Sequence, residues 1–155
     1  MGLSIEEKII VEHLLIEDEG MRQFPYVDCC AKEWKKCVCK VKGKLTIGIG
    51  RNLDDIGLSE SESIQLQRND VNKMTSEVER SFYWFSKLNT PRRVVIISMA
   101  FNVGISGLKE FKKMIDCIES GDFGSAAKEM IGSQWSSQVK GRAIRLASIM
   151  KTGQF

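Results

Sequence analysis

The sequence has one histidine, no long apolar run and only a small excess of positive charge. Because His13 is the only imidazole, a histidine-based catalytic triad would have to use it, and its place in a predicted helix favours an ordinary helix residue. No apolar run approaches the ~18 residues that a membrane-spanning helix needs. The N-terminal segment contains the acids Glu6 and Glu7 where an export signal has a basic start and an uninterrupted apolar run. Glu6 also occupies the position where a myristoylation site that begins at Gly2 has serine or threonine. We therefore expect a protein made soluble in the cytoplasm.

Length and hydrophobic content limit the size of the fold. The 155 residues, 43% of them hydrophobic, can bury the core of one ordinary domain or of two small lobes that share a helix. Neither repeats nor low-complexity segments are present.

The net charge of +3 is concentrated in one segment. Six lysines and a single acid, Glu33, lie between residues 32 and 44: Lys32, Lys35, Lys36, Lys40, Lys42 and Lys44. Such a segment suits contact with an acidic polymer or, alternatively, forms the solvated rim of a hairpin. Nucleic-acid binding is disfavoured, because no nucleic-acid motif is present and +3 is a small electrostatic footprint, although Phe24, Tyr26 and Trp34 have rings that can stack on bases.

The N-terminal segment predicts a helix over residues 4–19. Ser4 and Glu7 form the pattern of a capping box, and Gly20 is a suitable stop. The apolar residues between them give a face broad enough to be buried. Glu19 then lies at the C-terminal end of the helix, where the helix dipole disfavours an ionised carboxylate and helps keep a general acid protonated.

The following segment predicts a β-hairpin. Pro25 starts an extended stretch, and residues 34–41 and 45–50 read as two strands joined by a tight turn with Gly43 at its tip.

Thr46 has an unusual setting on the second of these strands. Side chains alternate along a strand, so Thr46 points away from Ile47 and Ile49, while Gly48 and Gly50 leave its own side bare. This space would accommodate a ligand or a nucleophilic water; the alternative is that the glycines mark a bulge.

The rest of the chain predicts helices. Ser59 with Glu62 indicates the start of a helix of some twenty residues. Further helices are expected from Thr90-Pro91 to near Gly104, over 108–119 with Gly121 as a stop, from a cap at Asp122, and over 137–151. The prediction is an α+β fold in one domain, 1–155: a small sheet-bearing lobe (17–58), a connecting helix (59–80), a helical lobe (81–155), and the N-terminal helix (4–19) packed between the lobes.

Two carboxylic acids flank the hairpin region. Glu19 lies at a helix end and Asp28 follows nine residues later. A glycosidase needs two such groups facing one sugar bond, one to protonate the leaving oxygen and the other to activate water or attack the sugar carbon.

Four stretches of the chain resemble the T4-type phage lysozyme family. Residues 19–28, EGMRQFPYVD, and 45–53, LTIGIGRNL, match the family motif E-G-x-R, Y-x-D and T-I-G-x-G. Residues 92–111 resemble the family's helix that ends in F-N-x-G, and residues 134–153 resemble its closing segment with paired arginines and a terminal T-G. The resemblance covers nearly the whole chain in the family's order.

The resemblance implies a lysozyme-like fold and a muramidase that hydrolyses the β-1,4 bond between N-acetylmuramic acid and N-acetylglucosamine in peptidoglycan. Glu19 matches the general acid, Asp28 the second carboxylate, and Thr46 the residue that helps place the attacking water. Inversion is the family's outcome, and it requires ~6.5–9.5 Å between the two carboxyl groups.

The resemblance also implies a substrate-binding set and a biological setting. Substrate contacts are expected at Gly48, Gly50, Phe101, Asn102 and Gly104, and the closing pair Arg142 and Arg145 is either functional or structural. No cofactor, metal, nucleic acid or stable membrane insertion is implied. A monomeric endolysin of this kind would be made in the host cytoplasm, would reach peptidoglycan from the periplasmic side, and would need a separate membrane-permeabilising protein.

Two features depart from the family pattern. Arg51 stands where the family commonly has histidine, and its permanent charge could instead hold Glu19 by a charged hydrogen bond. The segment 29–44 is longer than the usual connection and contains Cys29, Cys30, Cys37 and Cys39, for which free thiols, disulfides and a zinc site all stay open. Cys117 is left alone in a predicted helix, where we expect apolar packing.

Two other functions compete with hydrolysis. A lytic transglycosylase keeps the catalytic glutamate but needs no water-activating carboxylate, so Asp28 and Thr46 argue against it. The other is a non-catalytic peptidoglycan-binding module.

Overall fold

The computed structural model describes residues 3–27, 29–30, 32–36, 38 and 43–155, apart from the side chains of Glu19 and Trp34. The helices and strands of these residues are α1 Ile5–Glu19, β1 Arg22–Val27, β2 Lys32–Glu33, β3 Leu45–Gly48, β4 Arg51–Asn52, α2 Glu60–Ser81, α3 Thr90–Lys109, α4 Lys112–Glu119, α5 Phe123–Ile131, α6 Gln134–Val139 and α7 Gly141–Thr152, with short 3-10 turns at Trp34–Lys36 and Phe85–Lys87. The predicted α+β class is confirmed, since this part of the chain is mainly helical with one small antiparallel sheet. Two compact units divide it, Met1–Ser63 and Ile64–Phe155.

Helix α1 begins and ends where the sequence predicts. The Ser4 hydroxyl accepts from the Glu7 N–H (3.2 Å), the Ser4 N–H donates to the Glu7 carboxylate (2.7 Å), and Gly20 ends the helix with φ 69°. The first unit leaves the apolar face of this helix exposed, with Ile5 77% and Leu14 53% exposed. The described residues of the first unit bury a single apolar side chain, so this unit provides no core for that face. Packing of the helix between two lobes stays a prediction.

The sheet has the strand order β2-β1-β3-β4, with antiparallel neighbours. The predicted hairpin is therefore partly wrong: β3 pairs with β1 and β4, and Trp34–Lys36 forms a 3-10 turn rather than the start of a strand. Residues 37 and 39–42, which the predicted strand and turn also include, lie outside the described residues.

Strand β1 was predicted only as an extended stretch. Its pairing with β3 shifts register between Arg22 and Tyr26, the interval that contains Pro25. Proline has no N–H to donate to a ladder, and an irregularity of this kind is where a strand tolerates it.

The second unit holds the hydrophobic core. Its largest fully buried side chains come from α2, α3, α4, α5 and α7: Val78, Val95, Ile96, Met99, Leu108, Met114, Met130 and Met150. No single helix in the described ranges is long and apolar enough to cross a membrane. Helices α3 and α4, which are bent by 98° relative to each other, reach that length and apolar composition only when taken together.

The predicted helix boundaries of this unit are partly correct. Ser59 caps α2 and Asp122 caps α5, as expected. Gly104 interrupts α3 with φ 73° and ψ 167°, after which the helix continues to Lys109, so the next helix begins at Lys112 rather than at residue 108. The predicted helix 137–151 is two helices, because Lys140 adopts φ 49° between α6 and α7.

Side-chain hydrogen bonds join the start of α3 to the end of α7. Asn89 accepts from the Arg92 N–H (3.3 Å) and donates to the Gly153 carbonyl (2.9 Å). The Arg92 guanidinium donates to the carbonyls of Met150 (2.8 Å) and Lys151 (3.2 Å). These contacts satisfy carbonyls that the last turn of a helix leaves without an intrahelical partner.

Candidate active site

Thr46 is buried in the sheet of the first unit. It is 6% exposed and is the one buried polar side chain among the described residues. Its neighbours across the sheet are Tyr26 on β1 and Asn52 on β4. The hydroxyl donates to the Lys44 carbonyl (3.2 Å), which satisfies its proton and leaves its oxygen lone pairs to accept.

The predicted space beside Thr46 is present at Gly48. A Cβ added to Gly48 would meet no atom of the described residues within 4 Å, and Gly48 shares the sheet face of Thr46 because it lies two residues further along β3. Gly50 was predicted to lie in the strand but belongs to the turn before β4. Both glycines have positive φ, 67° and 70°, so the tight return of the chain also requires them.

The two candidate carboxylates are located only through the backbone. Glu19 is the last residue of α1, and β1 begins three residues later. Val27, which precedes Asp28 in the chain, pairs with Leu45, which precedes Thr46. The Glu19 side chain and the whole of Asp28 lie outside the described residues, so their roles stay predictions.

Arg51 forms a bidentate ion pair. Its Nη1 and Nη2 donate to the two carboxylate oxygens of Glu62 (2.7 and 2.9 Å), and its Nε donates to the Gly57 carbonyl (2.9 Å). The described partners of the guanidinium are Glu62 and Gly57, and the suggested contact with Glu19, whose side chain lies outside the described residues, stays a prediction. The sequence predicted only a helix-capping role for Glu62, because no pattern of neighbouring residues indicates an ion pair with Arg51, eleven residues earlier.

The carboxylate of Glu62 serves two partners at once. Besides Arg51, it accepts from the N–H of Ser59 (2.8 Å) and from the Ser59 hydroxyl (2.7 Å). The hydrogen bond from the Ser59 backbone lowers the pKa of Glu62, and the Ser59 hydroxyl and the charge of Arg51 lower it further.

Two aspartates anchor the start of β3. Asp54 accepts from the Leu45 N–H (2.8 Å), and Asp55 accepts from the Lys44 ammonium (2.6 Å). The hydrogen bond from Lys44 holds the pKa of Asp55 below its ordinary value. These contacts hold the backbone on either side of the carbonyl that orients Thr46, and sequence reasoning did not identify them.

Phe101, Asn102 and Gly104 lie together on α3, in the second unit. Asn102 accepts from the indole N–H of the buried Trp135 (2.9 Å), while Phe101 is 45% exposed on a groove of about 490 Å³ between α2 and α3. The bond to Trp135 fixes the Asn102 side chain. Substrate contact by these residues stays a prediction.

The two arginines of the closing pair, Arg142 and Arg145, have different environments. Arg142 donates to the Ser98 hydroxyl (2.9 Å), which joins α7 to α3, whereas Arg145 is exposed. The contact of Arg142 fits the structural reading.

The cysteine segment is described only in part. Cys29 is exposed and Cys30 is half-buried, but Cys37 and Cys39 lie outside the described residues, so free thiols, disulfides and zinc all stay open. No cluster of three or more metal-ligating His, Cys, Asp or Glu occurs in the part of the chain that the structure covers. Cys117 packs half-buried against the core of the second unit, as predicted, and burial raises the pKa of its thiol, with further contributions from Asp122 and other acids.

Residues 17–151 match the family model described as phage lysozyme. The chain belongs to the phage lysozyme family. The matched range contains all the candidate catalytic and substrate-binding residues, and the family resemblance seen in the sequence is confirmed.

Relatives carry related descriptions. The chain is 31% and 30% identical, over 99 residues, to proteins described as Probable T4-type lysozyme 1 and Probable T4-type lysozyme 2 of Dictyostelium discoideum. Each alignment covers 62% of this chain and 58% of the relative, so the chain spans less than two thirds of their length. It is also 26% identical over 157 residues to the pre-baseplate central spike protein Gp5 of Enterobacteria phage T4, covering 90% of this chain and 27% of that protein.

Proposed function

We propose that the protein is a lysozyme, a glycoside hydrolase that cleaves the β-1,4 bond between N-acetylmuramic acid and N-acetylglucosamine in peptidoglycan. The observation that carries this proposal is the family match over 17–151, which includes Glu19, Asp28 and Thr46 in the family's order. Two relatives described as T4-type lysozymes support it.

In the proposed reaction, Glu19 donates its proton to the leaving glycosidic oxygen while Asp28 takes a proton from the attacking water. The Thr46 hydroxyl already donates to the Lys44 carbonyl, so its oxygen is oriented to accept a hydrogen from that water. A water that donates one hydrogen to Thr46 and the other to Asp28 keeps a lone pair for the sugar carbon. Attack from the face opposite the leaving group inverts the anomeric configuration.

The proposed setting is lysis of a bacterial host. The enzyme is made in the host cytoplasm as a monomer and reaches peptidoglycan from the periplasmic side, after a separate protein has permeabilised the inner membrane.

Mass spectrometry of digested peptidoglycan tests the reaction, since hydrolysis releases reducing N-acetylmuramic acid ends. Anhydro ends would replace the proposal with a lytic transglycosylase, and binding without products would replace it with a binding module. Proton NMR of the first product anomer tests inversion; a product that retains the β configuration would refute it.

Glu19→Gln should abolish lysis while leaving the fold intact, because an amide keeps the shape of the side chain but has no proton to give to the leaving oxygen. The loss should reach at least the ~100-fold that general acid catalysis contributes. Glu17→Gln, an exposed acid on the same helix, is the matched control and should lyse cells as the wild type does. Near-normal lysis by Glu19→Gln would refute its assignment as the acid.

A further inference from the structure

An open groove of about 450 Å³ lies on β1, β2 and the 3-10 turn of the first unit. Its lining includes Arg22, Phe24, Tyr26, Lys32, Glu33 and Lys36, and we refer to it as the basic groove. Three of these residues come from the family-like strand β1, and the other three come from the segment that is longer than the usual family connection.

The basic groove carries an excess of positive charge. Arg22, Lys32 and Lys36 are exposed cations, and Glu33 is the one acid among the described residues of its lining. Lys36 pairs with Glu33 at 3.0 Å, but both side chains are more than half exposed, so solvent screens the pair strongly. Negative groups of a ligand are therefore attracted to this surface.

Aromatic surface accompanies the charge. The Arg22 guanidinium carbon lies 4.4 Å from the centroid of the Tyr26 ring, which holds both side chains together. Phe24 is 71% exposed and offers an apolar edge to the same groove. Charge and ring surface together suit a ligand that combines anionic groups with apolar or sugar faces.

Part of the basic groove shares a sheet face with Thr46, whereas Lys32 pairs with Val27 and therefore lies at a strand position of the other face, although its side chain lines the groove. Tyr26 pairs directly with Thr46 and with Glu33, and Arg22 pairs directly with Gly48. Residues directly opposite one another in an antiparallel pair project from the same face of the sheet. A polymer lying against Thr46 and extended across β1 therefore reaches the basic groove.

We propose that the basic groove binds carboxylates of the peptide stems on the same peptidoglycan strand that is cleaved beside Thr46. This rests on the proposed function, and it adds the place on the sheet where the peptide stems of that substrate bind. The shared sheet face favours this occupant over a nucleic acid, because a continuous strand fills both places. Lys32 and Lys36 are then specificity residues supplied by the long segment.

Binding by the full-length Glu19→Gln protein tests the proposal, because that variant should hold its ligand without cleaving it. The probes are a stem-bearing peptidoglycan tetrasaccharide, the same molecule with its carboxylates amidated, and a neutral chitin tetrasaccharide. Lys32→Gln with Lys36→Gln is the test variant. Lys73→Gln with Lys109→Gln removes the same charge from exposed positions of the second unit and is the matched control.

The test variant should bind the charged tetrasaccharide about fivefold more weakly, the size expected of two exposed ion pairs. Its affinity should also depend less on salt, since the screened contacts are gone. Binding of the amidated and chitin probes should be unchanged, and the control variant should match the parent with all three probes.

Equal affinity of test variant and parent for the charged probe would overturn the proposal, as would an equal loss in the control or with the amidated probe. Stronger competition by single-stranded RNA than by stem-bearing glycan would assign the groove to nucleic acid instead. Reducing ends released by the wild type are scored separately. Absence of these ends would refute the proposed function alone. Cleavage by the wild type, together with unchanged affinity of the Lys32→Gln, Lys36→Gln variant for the charged probe, would refute this inference alone.

Discussion

At the scale of single residues, Arg51 joins three parts of the first unit. Through Glu62 and the Gly57 carbonyl it connects β4, the loop that follows and the start of α2. β4 is paired with β3, so this connection also supports the strand that carries Thr46. The planar guanidinium makes all three hydrogen bonds through a rigid fork of N–H donors, whereas an imidazolium has only two N–H donors and an ammonium lacks the fork.

The Glu62 carboxylate should give the protein a pH-dependent stability. Its pKa is lowered below the ordinary 4.5 in the folded state, so its contribution is present above about pH 4.5 and is lost as the pH falls through the folded pKa. Glu62→Gln should therefore lower the Tm at pH 6, and this difference should shrink steadily on acidification below pH 4.5. Glu60→Gln, an exposed acid in the same helical turn, is the control. A Tm difference independent of pH between 6 and 3 would contradict the prediction.

At the scale of secondary structure, Gly104 permits the break in α3. Its φ of 73° and ψ of 167° lie in a region that only glycine adopts readily. An added Cβ would meet no atom within 4 Å in the part of the chain that the structure describes, so the cost of a side chain there is backbone strain rather than a clash.

Gly104→Ala should destabilise the protein by ~1–3 kcal/mol, the usual cost of such strain. Urea unfolding followed by tryptophan fluorescence measures it. Gly124→Ala in α5 is the control: its Cβ would make only an ordinary 3.5 Å contact, and removing chain entropy there should stabilise by ~0.4–1 kcal/mol. Equal effects of the two substitutions would show that strain at Gly104 is absent.

The junction of α3 with α7 depends on the shape of Arg92. Arg92 donates to the carbonyls of Met150 and Lys151, and its guanidinium lies 3.7 Å from the centroid of the Phe123 ring. Lysine has the charge but not the planar fork, so Arg92→Lys should cost ~1–3 kcal/mol. The exposed Arg145→Lys should change the free energy of unfolding by less than ~0.5 kcal/mol. Equal unfolding curves for both variants would contradict this role of Arg92.

Helix starts were predictable because their signals are local. Ser4 with Glu7, Ser59 with Glu62, and Asp122 each cap a helix through atoms within three residues. The strand pairing was not predictable in this way. β1 becomes the partner of β3 through contacts some twenty residues apart, and the register shift near Pro25 has no signal in the local pattern.

The candidate site shows the same division. The open space at Gly48 followed from alternation along one strand. The partners of Arg51 and the anchoring of β3 by Asp54 and Asp55 depend on how the chain returns after β4, which single-residue patterns do not specify.

At the scale of the whole molecule, burial is distributed unevenly between the two units. Among the described residues, twenty hydrophobic side chains are buried in one cluster of the second unit, and Val27 is the one buried apolar side chain of the first. Local stability follows buried apolar contacts, so the two units should open with different free energies.

Hydrogen exchange followed by mass spectrometry should show this difference. Amides of β1 and β3 should exchange well before those of α3 and α5, because opening the first unit exposes far less apolar surface. Residues 93–100 and 126–130 should be the slowest. Simultaneous exchange of both units at every pH and time point would instead show one cooperative structure.

The hydrogen bonds between the start of α3 and the end of α7 also affect how the protein folds during synthesis. Asn89 and Arg92 emerge from the ribosome about sixty residues before Met150, Lys151 and Gly153, whose carbonyls they bind. Until those residues have cleared the exit tunnel, the start of α3 lacks its partners and the core beneath it lacks the α7 side chains. Nascent chains arrested before residue 150 should therefore be sensitive to protease across α3, and chains released after residue 153 should resist it. The second unit should thus acquire its native packing only after residue 153 has emerged, whereas the β1–β3 pairing needs no residue beyond Gly48.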